Sequence, residues 1–103
     1  MAEVKRTYYA SRNLRSECFV INGKKEGEYK LYFDDPELKL KGLFNYIDDK
    51  LNGKYIEYHT NGQMSSILDY RNDKPNGESK YYDRNGELQC YFIYDNDKFT
   101  KIK

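Results

Sequence analysis

Residues 53–77 read Gly53-Lys54-Tyr55-Ile56-Glu57-Tyr58, His59-Thr60-Asn61-Gly62-Gln63, Met64-Ser65-Ser66-Ile67-Leu68-Asp69-Tyr70, Arg71-Asn72-Asp73-Lys74-Pro75-Asn76-Gly77. An apolar segment, an Asn-Gly turn, a second apolar segment and a second turn follow in order. That is the pattern of a β-hairpin with its connector to the next hairpin. The string recurs on both sides. Gly27, Gly53 and Gly77 are followed five residues on by Tyr32, Tyr58 and Tyr82, and six further on by Leu38, Met64 and Leu88. Tyr46, Tyr70 and Tyr94 close each second segment, and Asp49-Lys50, Asp73-Lys74 and Asp97-Lys98 follow. A worn copy comes first, with Tyr8, Leu14, Val20 and Asn22-Gly23-Lys24 at matching offsets. Fixed offsets over four passes mark a repeat array. The expectation is one domain over 1–103, with repeats near 3–26, 27–52, 53–76 and 77–100. Its fold class is all-β: an antiparallel β-meander of repeated hairpins in a single twisted sheet.

Turn chemistry sets the expected register. Asp83-Arg84-Asn85-Gly86-Glu87 fits a type I turn followed by a left-handed Gly, which places Tyr82 beside Leu88. The same turn places Tyr58 beside Met64, with positive φ expected at Gly62 and Gly86. Asp34-Asp35-Pro36-Glu37 lacks Asn-Gly and should be looser. Strict alternation then collects one face. It takes Leu14, Ser16, Cys18 and Val20; Leu38, Leu40, Phe44 and Tyr46; Met64, Ser66, Leu68 and Tyr70; and Leu88, Cys90, Phe92 and Tyr94. Tyr58, Leu68, Tyr70, Leu88 and Phe92 are expected to be buried there together. The second repeat has two extra residues between Leu38 and Tyr46, which preserve alternation, and Gly42 is the expected bulge or bend. The opposite face receives Phe19, Leu43, Ile67, Tyr91 and Ile93, joined by Tyr29, Leu31, Tyr55 and Tyr81. Tyr29, Tyr55, Tyr81, Tyr91, Ile67 and Ile93 are the candidate interaction surface. The same residues also satisfy β-propensity on a wet face.

Composition narrows the function. The chain has 103 residues, 38% hydrophobic and 34% charged, with twelve tyrosines and no tryptophan. A thick two-layer core would be hard to fill from this, whereas tyrosine suits a half-wet surface. The net charge of +1 provides no field for nucleic acid or an anionic membrane, and no nucleic-acid partner is expected. Met1-Ala2-Glu3-Val4-Lys5-Arg6 leads into no apolar run, so a soluble cytoplasmic protein is expected. Cys18 and Cys90 fall on strands two and eight, roughly 29 Å apart at about 4.8 Å per strand, too far for a disulfide.

The string Asn-Asp-Lys-Pro-Asn-Gly, followed by Gly-x-x-x-x-Tyr-x-x-Asn-Gly-x-Leu, resembles the MORN repeat in its variant form. Gly77 to Leu88 is the clearest copy, and the resemblance runs from about Tyr8 to Lys98. It implies an elongated meander with one hairpin per repeat, acting as a non-enzymatic interaction module or scaffold. Similar proteins include phosphoinositide-linked ones and bacterial proteins labelled antitoxins. A peripheral membrane or phospholipid head-group module, or an antitoxin-like binding protein, are therefore the alternatives. The chain lacks the Gly-x-Gly elements of the standard repeat, and no ligand residue carries over.

No catalytic, cofactor-binding or metal-ligating set is expected. His59 is the lone histidine, read as an exposed turn residue. Asp95-Asn96-Asp97 lacks the glycine and distal Glu of a calcium loop. Asp34, Asp35, Asp48 and Asp49 fall at opposite strand ends. Lys5, Arg6, Arg12 and Arg15, and Lys98, Lys101 and Lys103, mark the two ends of the sheet, where lysines discourage strand addition. The expected partner is another protein of unknown identity, with a homodimer through an edge or face permitted and membrane lipid a weaker option.

Overall fold

The computed structural model describes residues 2–103. Nine strands form one sheet in strict chain order. They are β1 (Ala2–Tyr8), β2 (Leu14–Ile21), β3 (Lys24–Tyr32), β4 (Leu40–Ile47), β5 (Lys50–Tyr58), β6 (Met64–Arg71), β7 (Lys74–Tyr82), β8 (Leu88–Asp95) and β9 (Lys98–Lys101). Every neighbouring pair is antiparallel. The molecule is a slab of 40 × 33 × 15 Å. The width is close to the roughly 38 Å of an open nine-strand sheet, so the described residues form no second layer. The all-β meander expected from the repeats is the fold.

Two kinds of turn alternate. At one end, Ile21, Ile47, Arg71 and Asp95 pair directly with Lys24, Lys50, Lys74 and Lys98. The two residues between are left-handed at Asn22-Gly23, Asp48-Asp49 and Asn72-Asp73. These are type I′ turns, whose twist matches that of the strands. At the other end the wider loops close as expected. Asp83 N–H donates to the Glu87 carbonyl at 2.9 Å, and Gly86 N–H to the Asp83 carbonyl at 3.0 Å. Gly62 and Gly86 have φ of 89° and 85°. The Asp34–Leu38 loop is longer, and its left-handed residue is Leu38, with φ of 56°. Leu38 is therefore an exposed turn residue rather than a member of the core face.

Strict alternation fails at one residue per hairpin. Tyr81 pairs with Cys90, yet its neighbour Tyr82 pairs with Leu88, leaving Gln89 unpaired. Ser65, Lys41 and Arg15 are skipped in the same way. Each is a one-residue bulge on the second strand. A one-residue offset moves all later partners to the opposite face. Tyr29, Leu31, Tyr55 and Tyr81 consequently share the face of Cys18, Phe44, Leu68 and Phe92, not the opposite one. Tyr58 pairs with Met64 and Tyr82 with Leu88 as expected, but on the far side from Leu68 and Phe92. Of the five residues expected to be buried together, Leu68, Tyr70 and Phe92 share one face and Tyr58 and Leu88 the other, and only Leu68 is buried.

A second irregularity explains the repeated glycine. Leu68 pairs with Ser79 and Tyr70 with Pro75, so β7 carries two extra residues around Gly77. Gly53 and Gly27 occupy the same place on β5 and β3. Gly77 has φ of +103°, and a Cβ there would lie 3.3 Å from Asp69 Oδ2. A side chain at this position is strained by its backbone and crowded by its neighbour. Each glycine faces a closing tyrosine, Gly27 with Tyr46, Gly53 with Tyr70 and Gly77 with Tyr94. Gly42 behaves differently. It is not in the left-handed region, and a Cβ on it would collide with the Phe44 ring. It makes room for that ring beside the Lys41 bulge rather than bending the strand itself.

Turn and bulge are stapled from one repeat to the next. Asp49 N–H donates to the Lys25 carbonyl, and Asp49 Oδ1 accepts from Lys25 N–H at 3.1 Å. Asp73 and Leu51 repeat both bonds, at 3.0 and 2.7 Å. Side chains of Glu26, Asn52 and Asn76 accept from the N–H groups of Asp48, Asn72 and Asn96. Pro75 has no N–H, and Asp97 instead pairs with Lys74 Nζ at 3.3 Å. The turn acids are thus ties between hairpins, not merely solvated groups.

Asp73→Ala should cost about 1 kcal/mol, the usual net worth of one hydrogen bond. Asp73→Asn keeps the Oδ1 acceptor and should retain most of the stability. Urea unfolding midpoints measure both, and equal losses in the two variants would contradict the tie.

Candidate functional site

The flipped register gathers the aromatic residues into a row across one face. In order of pairing the central row runs Lys5, Cys18, Tyr29, Phe44, Tyr55, Leu68, Ser79, Phe92, Lys101. Rings touch along it and with the closing tyrosines beside it. Phe44 stacks on Tyr55 at 4.2 Å between centroids, and on Tyr29 at 6.0 Å. Tyr55 meets Tyr70 at 5.1 Å, and Tyr29 meets Tyr46 at 5.8 Å. A second cluster joins Phe92 to Tyr81, Tyr94 and Phe99. Between the clusters lie Leu68 and Ser79. Ser79 holds the place of Tyr29 and Tyr55 in its repeat, is wholly buried, and has no hydrogen-bond partner for Oγ among the described residues.

Mutual stacking covers ring faces and draws water away from the tyrosine hydroxyls. Burial pushes the Tyr55 hydroxyl up to about 12, with the Glu57 carboxylate adding to it. Burial likewise raises Tyr46, Tyr70 and Tyr81. Glu57 lies in the row beside this one, between Gly42 and Ser66. Ser66 Oγ donates to Glu57 Oε1 at 3.3 Å. Among the described residues no cation pairs with Glu57.

The opposite face mixes ion pairs and aliphatic side chains with scattered aromatic residues such as Phe19, Tyr58, Tyr82 and Tyr91. Leu43, Ile56 and Ile67 are directly opposed on β4, β5 and β6. Arg6 pairs with Glu17 at 2.7 Å, Lys54 with Asp69 at 2.8 Å, and Lys80 with Glu78 at 3.2 Å. Lys80 also sits 4.8 Å over the Tyr91 ring. A hydrogen bond to Glu78 raises the Tyr91 hydroxyl. Arg6, Lys54 and Lys80 are thus already paired within the sheet.

The six candidate residues therefore form two surfaces. Tyr29, Tyr55 and Tyr81 belong to the aromatic face; Ile67, Tyr91 and Ile93 belong to the ion-paired face. Sequence reasoning overlooked Phe44, Tyr46, Tyr70 and Phe92 as parts of the first surface, because it assigned them to a sealed core. His59 is not a plain exposed residue. It is half-buried, and Nε2 lies 2.9 Å from the Tyr82 carbonyl of the next hairpin. The Tyr9 hydroxyl makes the matching bond to the Tyr32 carbonyl at 2.6 Å. Cys18 and Cys90 are both free thiols.

Among the described residues, no group of three His, Cys, Asp or Glu side chains could hold a metal ion. No helix there is long and apolar enough to cross a membrane. The larger hollows are open depressions at the turns, one of about 420 Å³ bordered by Lys39, Tyr58 and His59.

Tyr55 is neutral when folded at a pH where the unfolded tyrosine has lost its proton. Its share of stability is full below about pH 10 and is lost as pH rises towards about 12. Tyrosinate absorbance should lose its latest-titrating component in Tyr55→Phe. Alkaline unfolding of that variant should be less steep. A Tyr55 hydroxyl titrating with the exposed tyrosines would contradict the buried placement.

No curated protein and no solved structure matches the chain. Two stretches, residues 51–72 and 75–96, match the family model described as MORN repeat variant. They correspond to β5–β6 and β7–β8 with their wide turns, the two hairpins that keep Asn-Gly, and the chain carries MORN variant repeats there.

Proposed function

We propose that this is a non-enzymatic module that binds another protein on its aromatic face. The observation carrying this reading is the ring-on-ring packing from Tyr29 through Phe44 to Tyr55. Nucleic-acid bases and sugars bind open ring faces, and here those faces are used by neighbouring rings. What remains outward is a field of part-exposed tyrosine side chains with one carboxylate, Glu57. Tyrosine tips of this kind suit a protein partner, because they give apolar area and hydrogen bonds at small entropic cost.

Surface area supports the reading. The chain exposes 6990 Å², against roughly 6,100 Å² expected of a compact monomer of its mass. The excess is about the 800 Å² that one partner contributes to a standard protein interface. The lipid reading is weaker on electrostatic grounds. Lys30, Lys54 and Lys80 on the opposite face already have acidic neighbours within 3.7, 2.8 and 3.2 Å. An anionic membrane would have to break those pairs.

The test is a comparison of faces. Proteins captured from the native host by the wild-type chain would be challenged with a Tyr55→Ala/Tyr70→Ala variant and an Ile67→Ala/Ile93→Ala variant. The first pair should lose the partner and the second should keep it, with circular dichroism confirming the fold of both. Retention by the first and loss by the second would move the interface to the ion-paired face. Sedimentation with phosphoinositide vesicles in place of any protein would replace the reading with a membrane one.

A further inference from the structure

We propose that β1 pairs with β1 of a second copy, antiparallel, about a two-fold axis through Val4. The two edges of the sheet are unlike. Strand β9 has four residues and carries Lys98 and Lys101. Just beyond it, the N–H groups of Ile102 and Lys103 both donate to the Tyr91 carbonyl. Strand β1 has seven residues, nearly all exposed. It runs regularly from Ala2 to Thr7 opposite Ile21 to Ser16. A long regular edge is a template for strand pairing.

The hairpin decides which backbone groups face outward. Tyr9 N–H donates to the Asn13 carbonyl, and the Tyr9 carbonyl accepts from Arg12 N–H. Both groups of Tyr9 thus point into the hairpin. Alternation along an antiparallel strand then turns Ala2, Val4 and Arg6 to the open side. The other end of β2 agrees. Ile21 closes the two-residue turn with Lys24, so its groups face β3, and Ala2 opposite it is free on the outside.

Charge selects the register. About Val4, Val4 faces Val4 and Ala2 faces Arg6, giving about six hydrogen bonds between copies. On the aromatic face Glu3 of one copy lies beside Lys5 of the other, twice. Among the described residues neither Glu3 nor Lys5 has an ion-pair partner within its own chain, while Arg6 is held by Glu17. Symmetric pairing about Glu3, Lys5 or Arg6 would set like charges against each other, which destabilises a cross-strand pair. Pairing β1 with β9 would set Lys5 and Arg6 near Lys98 and Lys101. The apolar residues agree with the Val4 axis. Val4 and Phe19 are cross-strand neighbours and stay 46% and 51% exposed. The axis brings both copies' pairs together into one patch. The product is an isologous dimer whose sheet has twice nine strands and whose two aromatic faces lie on the same side.

Sedimentation equilibrium over a range of protein concentrations tests this on four chains: wild type, Glu3→Lys, Lys5→Glu, and the double exchange. Each single change should weaken the dimer about tenfold, since two attractive pairs become repulsive. The double exchange restores both pairs and should recover wild-type association. The altered side chains are exposed, and circular dichroism checks that each variant keeps its sheet. A wild-type chain that stays monomeric at millimolar concentration overturns the proposal. So does a dimer indifferent to the single changes, or one that the double exchange fails to restore.

Discussion

Each hairpin has one unpaired residue, at Arg15, Lys41, Ser65 or Gln89, and the use of both faces depends on it. Without the bulge, Tyr82 and Leu88 would share a face with Phe92, and Tyr81 would lie on the reverse. With it, β3, β5 and β7 turn their tyrosines towards the phenylalanines and leucines of β4, β6 and β8. The sheet then gathers its stacked rings on one face and its ion pairs on the other, where Phe19, Tyr58, Tyr82 and Tyr91 do not stack on one another.

That division lets a one-layer protein protect part of its surface. Cys18, Phe44 and Leu68 are buried although no second layer covers them. Their cover comes from neighbouring rings that lie along the sheet, possible only where small residues leave space. Ser16, Ser66 and Ser79 are buried on the same face, and Gly42 receives the Phe44 ring. The stack costs the tyrosines their exposed ring faces and part of the hydration of their hydroxyls. Turn acids, bulge glycines and closing tyrosines fix each hairpin against the next, so the row of rings keeps its spacing. Fold and proposed binding surface thus rest on the same repeated contacts.

The repeat period, strand number and wide turns were legible because they depend on local chemistry. Asn61-Gly62 and Asn85-Gly86 specify their turn by themselves. The bulges were not legible, because Gln89 and Ser65 carry no mark distinguishing a skipped residue from a paired one. From that one omission followed the wrong face for Tyr29, Tyr55 and Tyr81. Gly77 was read as the opening of the fourth repeat, whereas it lies inside β7 at positive φ; only its pairing with Tyr94 across the sheet shows why. The ties made by Asp49 and Asp73 were hidden for the same reason, since their partners are more than twenty residues away.

The face assignment can be read directly in solution. Nuclear Overhauser contacts of the Tyr55 ring report its neighbours without any substitution. The bulged register places Tyr55 against Phe44, Leu68 and Tyr70, and contacts to those three should dominate. Strong contacts from the Tyr55 ring to Leu43 and Ile67, with none to Phe44, would place it on the opposite face and contradict the account.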